Sequence, residues 1–287
     1  MIARVIKIVS NQYTVLYDNQ RVEAVAMGKL RLKQSPVVGD FVKLEKLEGK
    51  MCIQAIEPRK NQLIRPSIAN VDQAMIIMSM VDPDFSCQLV DRLLILIQHA
   101  GIQPFLVITK VDVCTMSEQM KEWIEDYRRS GYQVILHSKG EPNQELMDLL
   151  KDKITVLTGQ SGAGKSSLIN TYLPDFEIQT QEISKALGRG KHTTRHAELL
   201  KLECGGMVAD TPGFSSLTLD DIEESELKEY FIEFENHDEC RFGSRCIHEN
   251  EPMCSVKEAV ENGEISKKRY DSYIQLLNEI RSGKRRY

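Results

Sequence analysis

The sequence predicts an α/β fold in three parts: a small β-barrel, a parallel sheet layered with helices, and a mostly helical end stapled by a metal site. Three observations carry this reading. Five short segments, each bounded by a polar turn, fall within the first sixty residues. From about residue 66, short apolar runs alternate with amphipathic ones, the pattern of strands joined by crossover helices. Cys240, Cys246, His248 and Cys254 then crowd together ahead of a last helical stretch. The expected parts are residues 1–65, 66–219 and 220–287.

In the first part, segments 4–9 and 13–17 flank the turn Ser10-Asn11-Gln12, and 22–26 follows Asp18-Asn19-Gln20. Segment 41–44 follows Gly39-Asp40, and 51–56 follows Glu48-Gly49-Lys50. Five strands in so short a span suit a small barrel, and the excess of 12 Lys/Arg over 6 Asp/Glu in residues 1–65 favours the oligonucleotide-binding (OB) kind. Lys29, Arg31 and Lys33 alternate, which in an extended segment places them on one face. They are either a nucleic-acid contact or a charged guard on an exposed edge.

In the second part, strands are expected at 73–80 and 104–108, with a helix over 88–100 closed by Gly101. Thr115 and Glu118 have the spacing of a capping box for a helix ending near Gly131. A strand at 133–136 and a helix at 144–150 follow. A β-branched strand over 154–158, a helix over 167–173 stopped by Pro174, and a strand over 204–209 complete the alternation. Such alternation predicts a parallel sheet with helices on both faces.

Between the last-named strand–helix pair lies Gly159-Gln160-Ser161-Gly162-Ala163-Gly164-Lys165-Ser166, a match to GxxxxGK[ST] without mismatch. The glycines let successive N–H groups curl inward around phosphate oxygens, and the helix N-terminus adds positive charge. With Ser167, this stretch is the expected phosphate cradle. Lys165 reaches the β- and γ-phosphates, and the Ser166 hydroxyl ligates Mg²⁺. Asp210-Thr211-Pro212-Gly213 ends a strand downstream, where Asp210 holds the Mg²⁺ shell and the Gly213 N–H faces the γ-phosphate. The glycine-bearing loop 188–196 carries Thr193 and Thr194, either of which can complete the Mg²⁺ ligands when γ-phosphate is present, as in a switch loop. Thr109-Lys110-Val111-Asp112 follows a strand. A carboxylate there accepts two hydrogen bonds from the N1–H and N2–H₂ edge of guanine and rejects adenine.

The residue after Gly213 is Phe214, which cannot orient a water as glutamine does in Ras-like enzymes. Slow intrinsic hydrolysis is therefore expected, with acceleration when a partner orders the switch. His196 is the candidate second catalytic residue beside Lys165; otherwise it faces a partner or solvent.

The third part supplies three thiolates and an imidazole, the ligand set of a closed structural Zn²⁺ site. Disulfides compete with this reading, and His237 is a substitute ligand of lower rank. A helix over 266–280 leads into the basic tail Arg281-Ser282-Gly283-Lys284-Arg285-Arg286-Tyr287, which suits contact with a nucleic-acid backbone or merely solubilises the end. No run approaches the eighteen apolar residues of a membrane span. The opening reads without a leader, and cysteines scattered singly suit a reducing compartment, so a cytoplasmic monomer is expected. The formal charge of −5 hides basic ends around an acidic middle, with 14 Asp/Glu against 4 Lys/Arg in residues 220–263.

These stretches resemble the motifs of translation-factor-type GTPases: GQSGAGKS for G1, residues 193–194 for G2, DTPG for G3 and TKVD for G4, with Thr109 where asparagine is usual. Ser138-Lys139 falls where the short G5 motif belongs. The order G4-(G5)-G1-G2-G3 implies a circularly permuted GTPase domain. Together with the barrel and the Cys/His cluster, it resembles the ribosome small-subunit-dependent GTPase A family (RsgA, also called YjeQ or YloQ) over nearly the whole chain. The family shows C-x₄-C-x-H-x₅-C, whereas five residues separate Cys240 from Cys246 here. The resemblance implies hydrolysis of GTP to GDP and phosphate, stimulated by the small (30S) ribosomal subunit, late in that subunit's maturation. Two rivals remain open on residues alone: a P-loop ATPase or kinase, and a zinc-dependent RNA-binding module with a vestigial nucleotide site.

Overall fold

The computed structural model describes residues 1–28, 30, 34–63, 67–173, 198–209, 217–237 and 239–284. Two compact units emerge. One holds residues 1–75, 139–158 and 164–215; the other holds 76–138, 159–163 and 216–287.

The first unit opens with β1 (Ile2–Val9), β2 (Gln12–Tyr17), β3 (Gln20–Ala26), β4 (Phe41–Leu47) and β5 (Lys50–Ile56). They close into a barrel in the order β1-β2-β3-β5-β4. Alternation supports the closure: Val5, Val15, Val42 and Ile53 are fully buried, while Arg4, Thr14, Leu16 and Lys43 beside them are more exposed; in β1 an irregular step leaves Ile6 buried as well. All five expected strands are present. Gly28 and Leu30 are helical; Lys29, Arg31 and Lys33, on which the expected basic face rests, lie outside the described residues. After β5, Arg59 reaches back to the fully buried Asp40 with two hydrogen bonds of 2.6 and 2.7 Å. This paired guanidinium makes a buried carboxylate tolerable. A two-stranded ribbon of β6 (Gln62–Leu63) and β7 (Ile68–Ala69) follows.

The sheet is built from β8 (Gln73–Ser79), β9 (Gln103–Thr109), β10 (Val134–His137), β11 (Ile154–Gly159), β12 (Leu199–Lys201) and β13 (Met207–Ala209). The strand order is β10-β9-β8-β11-β13-β12. Every residue of β8 is buried, as a central strand covered on both faces requires. Pairs β9–β10 and β11–β13 are parallel, but β12 runs antiparallel to β13, which makes the sheet mixed. The connecting helices are α1 (Cys87–His99), α2 (Glu118–Arg129), α3 (Gln144–Leu150) and α4 (Lys165–Tyr172). Ser117, not Thr115, caps α2: its hydroxyl accepts from the Met120 N–H at 3.2 Å, so the expected capping box starts two residues too early.

Beyond β13 the second unit winds through short 3₁₀ turns, then α5 (Ser255–Glu261) and α6 (Lys267–Lys284). Arg269 on α6 is 4% exposed and pairs with Asp91 of α1 and, at 2.7 Å, with Glu233. Burial opposes its charge, yet Asp91 and Glu233 together hold the guanidinium well above its ordinary pKa. The rings of Phe231, Tyr127 and Tyr132 surround it at 4.7–5.6 Å. Helix α6 also runs past Ile280, and Arg281 is bound to Glu224 and Glu249 at 2.7 and 2.8 Å. Arg281 therefore belongs to the folded helix, not to a free tail. Among the described residues, no helix is long and apolar enough to cross a membrane.

Candidate functional site

The phosphate loop grows out of β11, whose last residue, Gly159, has φ +129°. A Cβ there would stand 1.9 Å from the Ile77 carbonyl oxygen, so only glycine lets the loop leave between strands. Gly162 (φ +81°) lies against Pro83, with room for a Cβ no nearer than 3.4 Å to its ring. Gly164, at φ +85°, is the N-cap of α4 and brings no side chain of its own to cap the helix. Lys165 is half-buried, Ser166 is exposed and Ser167 is half-buried in that first turn. Gln160 and Ser161 complete the loop, and the Ala163 N–H donates to the Gln160 carbonyl at 3.2 Å.

Thr109, at the end of β9, is 4% exposed, and its hydroxyl lies 2.6 Å from the Ala163 carbonyl and 3.2 Å from that of Met78. The hydroxyl thus ties the TKVD strand to the phosphate loop. Lys110 has φ +60°, and its ammonium donates to the Asp82 carbonyl beside Pro83. Asp112 is exposed on the same loop. Ser138 is half-buried and Lys139 exposed after β10. Thr193, Thr194, His196, Asp210 and Gly213 lie outside the described residues.

The second centre is fully assembled. Cys240, Cys246, His248 and Cys254 are all buried, and one ligand atom from each lies within 4.8 Å of the others. Cys240 Sγ is 3.8 Å from Cys254 Sγ, and His248 Nδ1 is 3.5 and 3.3 Å from these two sulfurs. The 3₁₀ turn Gly243–Arg245, begun by Gly243 at φ +52°, lies between the first two cysteines. Lys228 donates to the carbonyls of Ser244 and Cys246 at 2.5 and 2.9 Å and so fixes that turn. Burial first, then the Lys228 charge, pull His248 down to about 4, which keeps its imidazole neutral and able to ligate. Ser255 Oγ sits 3.1 Å from Cys240 Sγ and donates to the His237 carbonyl at 2.5 Å. Tyr270 and Tyr273 hold the carbonyls of His248 and Ile247 at 2.7 and 2.6 Å. The His237 ring stays outside the cluster, 4.0 Å from Glu264. This arrangement can hold a metal ion with no ligand position left for a reacting water.

Sequence reasoning missed the Thr109–Ala163 tie and the supports from Lys228 and Ser255. The adjacency of Ser255 to Cys254 was the only local hint of these; Lys228 is remote in sequence.

A family model described as RsgA GTPase matches residues 56–220, and one described as RsgA N-terminal domain matches residues 3–53. The chain is 46% identical over 291 residues to the small ribosomal subunit biogenesis GTPase RsgA of a Geobacillus species, covering 99% of both. Among solved structures it is similar to YloQ, described as a circularly permuted GTPase, with TM-score 0.84, 38% identity, and 98% and 95% of the two chains covered. It is also similar to YjeQ from Thermotoga maritima, with TM-score 0.83, 37% identity, and 97% and 98% covered. The permuted order of motifs, the five-stranded barrel and the Cys₃His cluster agree with these matches. The chain belongs to the RsgA GTPase family and is, by that membership, a circularly permuted GTP hydrolase.

Proposed function

We propose that this chain is a GTPase of small-subunit assembly that docks on the rRNA of the 30S subunit late in its maturation and hydrolyses GTP faster when docked. The observation that carries this reading is the 46% identity, end to end, with a protein named for small-subunit biogenesis. In the division of labour we infer, residues 1–65 form the RNA-facing barrel, 66–219 the GTPase domain and 220–287 the metal-stapled end. The chain acts as a cytoplasmic monomer.

Gly159 to Ser167 cradle the phosphates, and Lys165 holds the β- and γ-phosphate oxygens where charge develops in the transition state. Asp112 reads the guanine edge, with Lys110 and Ser138-Lys139 beside the base, while Thr109 acts through the loop it holds. Thr193, Thr194 and Gly213 answer the γ-phosphate, and His196 stands in for the missing glutamine. Mg²⁺, when bound with GTP, neutralises phosphate charge; Ser166, Thr194 and Asp210 are its proposed holders. The exposed Ser166 hydroxyl in the first turn of α4 suits that task.

The metal of the Cys₃His centre is proposed to be one structural zinc. Tetrahedral bonds of about 2.3 Å to sulfur and 2.0 Å to nitrogen set sulfur–sulfur and sulfur–nitrogen separations of about 3.8 and 3.5 Å. The separations of 3.8, 3.5 and 3.3 Å fit.

The test is GTP turnover with and without purified small subunits, with Lys165→Ala and Asp112→Asn alongside. Stimulation in the wild type, its loss in Lys165→Ala, and a narrowed GTP-over-ATP preference in Asp112→Asn are expected. Equal GTP and ATP affinity in the wild type would favour the ATPase rival, and no phosphate release even with subunits would favour the vestigial site.

A further inference from the structure

Glu198 is the first described residue after 174–197 and the last before β12. Two cations of the barrel hold its carboxylate. Lys7 Nζ on β1 lies 2.7 Å from one oxygen, and Arg21 Nη1 on β3 lies 3.6 Å from the other. The backbones join as well, through an antiparallel bridge between Lys7 and Glu198. At the far end of β12, Lys201 Nζ donates to Asn19 Oδ1 in the β2–β3 turn at 2.9 Å.

The register gives this grip its meaning. Leu199 pairs with Ala209 across the β12–β13 ribbon. One end of the ribbon therefore receives the chain from Thr193, Thr194 and His196 and sends it on into Asp210-Thr211-Pro212-Gly213. That is the end at which the barrel holds Glu198. An exposed ion pair alone would be weak. Here two cations converge on one carboxylate whose side chain is only 20% exposed, and a backbone bridge fixes the approach.

We propose that Glu198, held by Lys7 and Arg21, is a positioning residue that couples the barrel to the two segments that answer the γ-phosphate. It touches no nucleotide; it acts by fixing where those segments are anchored. The proposal rests on the GTPase reading above. Coupling of this kind is reciprocal: if the barrel biases the segments, nucleotide state must alter the barrel.

Hydrogen exchange on the full chain, loaded with GDP or with a non-hydrolysable GTP analogue, tests this without ribosomes. In the wild type, peptides covering β1 should exchange differently in the two states. Glu198→Gln should shrink that difference at least about threefold while nucleotide affinity changes less than about twofold. Glu198→Asp, which keeps a carboxylate for both cations, should retain most of it, so that the loss in Glu198→Gln reports the charge. Identical β1 exchange in both wild-type states, or an undiminished difference in Glu198→Gln, overturns the proposal. Turnover with small subunits is measured in parallel. A nucleotide-dependent β1 response without subunit stimulation keeps the coupling and removes the small-subunit reading instead.

Discussion

Thr109 shows how one hydroxyl can hold a phosphate loop in shape. Its sequence position suggested a base-reading role, because the motif around it is read as a unit. Burial at 4% and the 2.6 Å approach to Ala163 give it a different task. The Ala163 carbonyl has two lone pairs and little water nearby, so removing its donor leaves a buried acceptor under-satisfied. Thr109→Val keeps the volume and deletes the hydroxyl. It should lower stability by about 1–3 kcal/mol and weaken GTP binding about tenfold, as titration calorimetry and thermal melts would show. Thr109→Asn, which keeps a donor, should bind GTP within about threefold of wild type. Wild-type affinity in the valine variant would remove the hydroxyl from the site. Glycine positions, by contrast, were legible from spacing alone. Gly159, where a Cβ would meet Ile77, is demanded by the motif itself.

Elements were legible in proportion to their length and periodicity. Helix α1 and strand β8 lie within one residue of expectation, because each repeats its period several times. Strand β12 spans three residues and has no period to read, so it went unseen. The Ser117 cap was misplaced because Thr115 offered the same chemistry two residues earlier, and only the backbone path chooses between them. Helix α6 shows the limit most plainly, since nothing local tells that Arg269 sits buried between Asp91 and Glu233. Arg269→Met leaves both carboxylates buried without their partner and should cost about 3–5 kcal/mol, far more than an exposed pair. A fall in Tm of roughly 10 °C is the expected reading. The metal centre sits in the same apolar cluster as Phe234, Tyr273 and Leu277, so its loss should spread. Elemental analysis should find one zinc per chain and near none in Cys246→Ser. Chelation should raise hydrogen exchange in α5 and α6. Zinc retained at full stoichiometry in Cys246→Ser would exclude that thiolate as a ligand.

For the whole molecule, the permuted order was legible because motifs keep their spacing to their own strands even when the chain's ends are moved. The order β10-β9-β8-β11-β13-β12 sets the TKVD strand β9 beside β8 and β8 beside β11, which carries the phosphate loop, although the TKVD stretch comes some fifty residues earlier. Charge is the other property that belongs to the whole. A protein of net −5 gains nothing from average attraction to a polyanion, so the proposed docking on rRNA would depend on where its cations are placed. Residues 1–65 and 264–287 are the basic stretches, the latter with 7 Lys/Arg against 3 Asp/Glu. Arg281 and Arg269 are already committed to internal carboxylates, which leaves fewer cations for RNA than composition suggests. Arg285 and Arg286 then become the cations of that end to remove. Each phosphate neutralised releases counterions, and the logarithm of affinity falls with the logarithm of salt by about 0.7–0.9 per contact. Deleting residues 285–287 should therefore flatten the salt dependence of small-subunit binding by up to about 2 in slope and leave unstimulated GTP turnover unchanged. An unchanged slope would place the RNA contacts elsewhere, and the barrel end would be the next to vary.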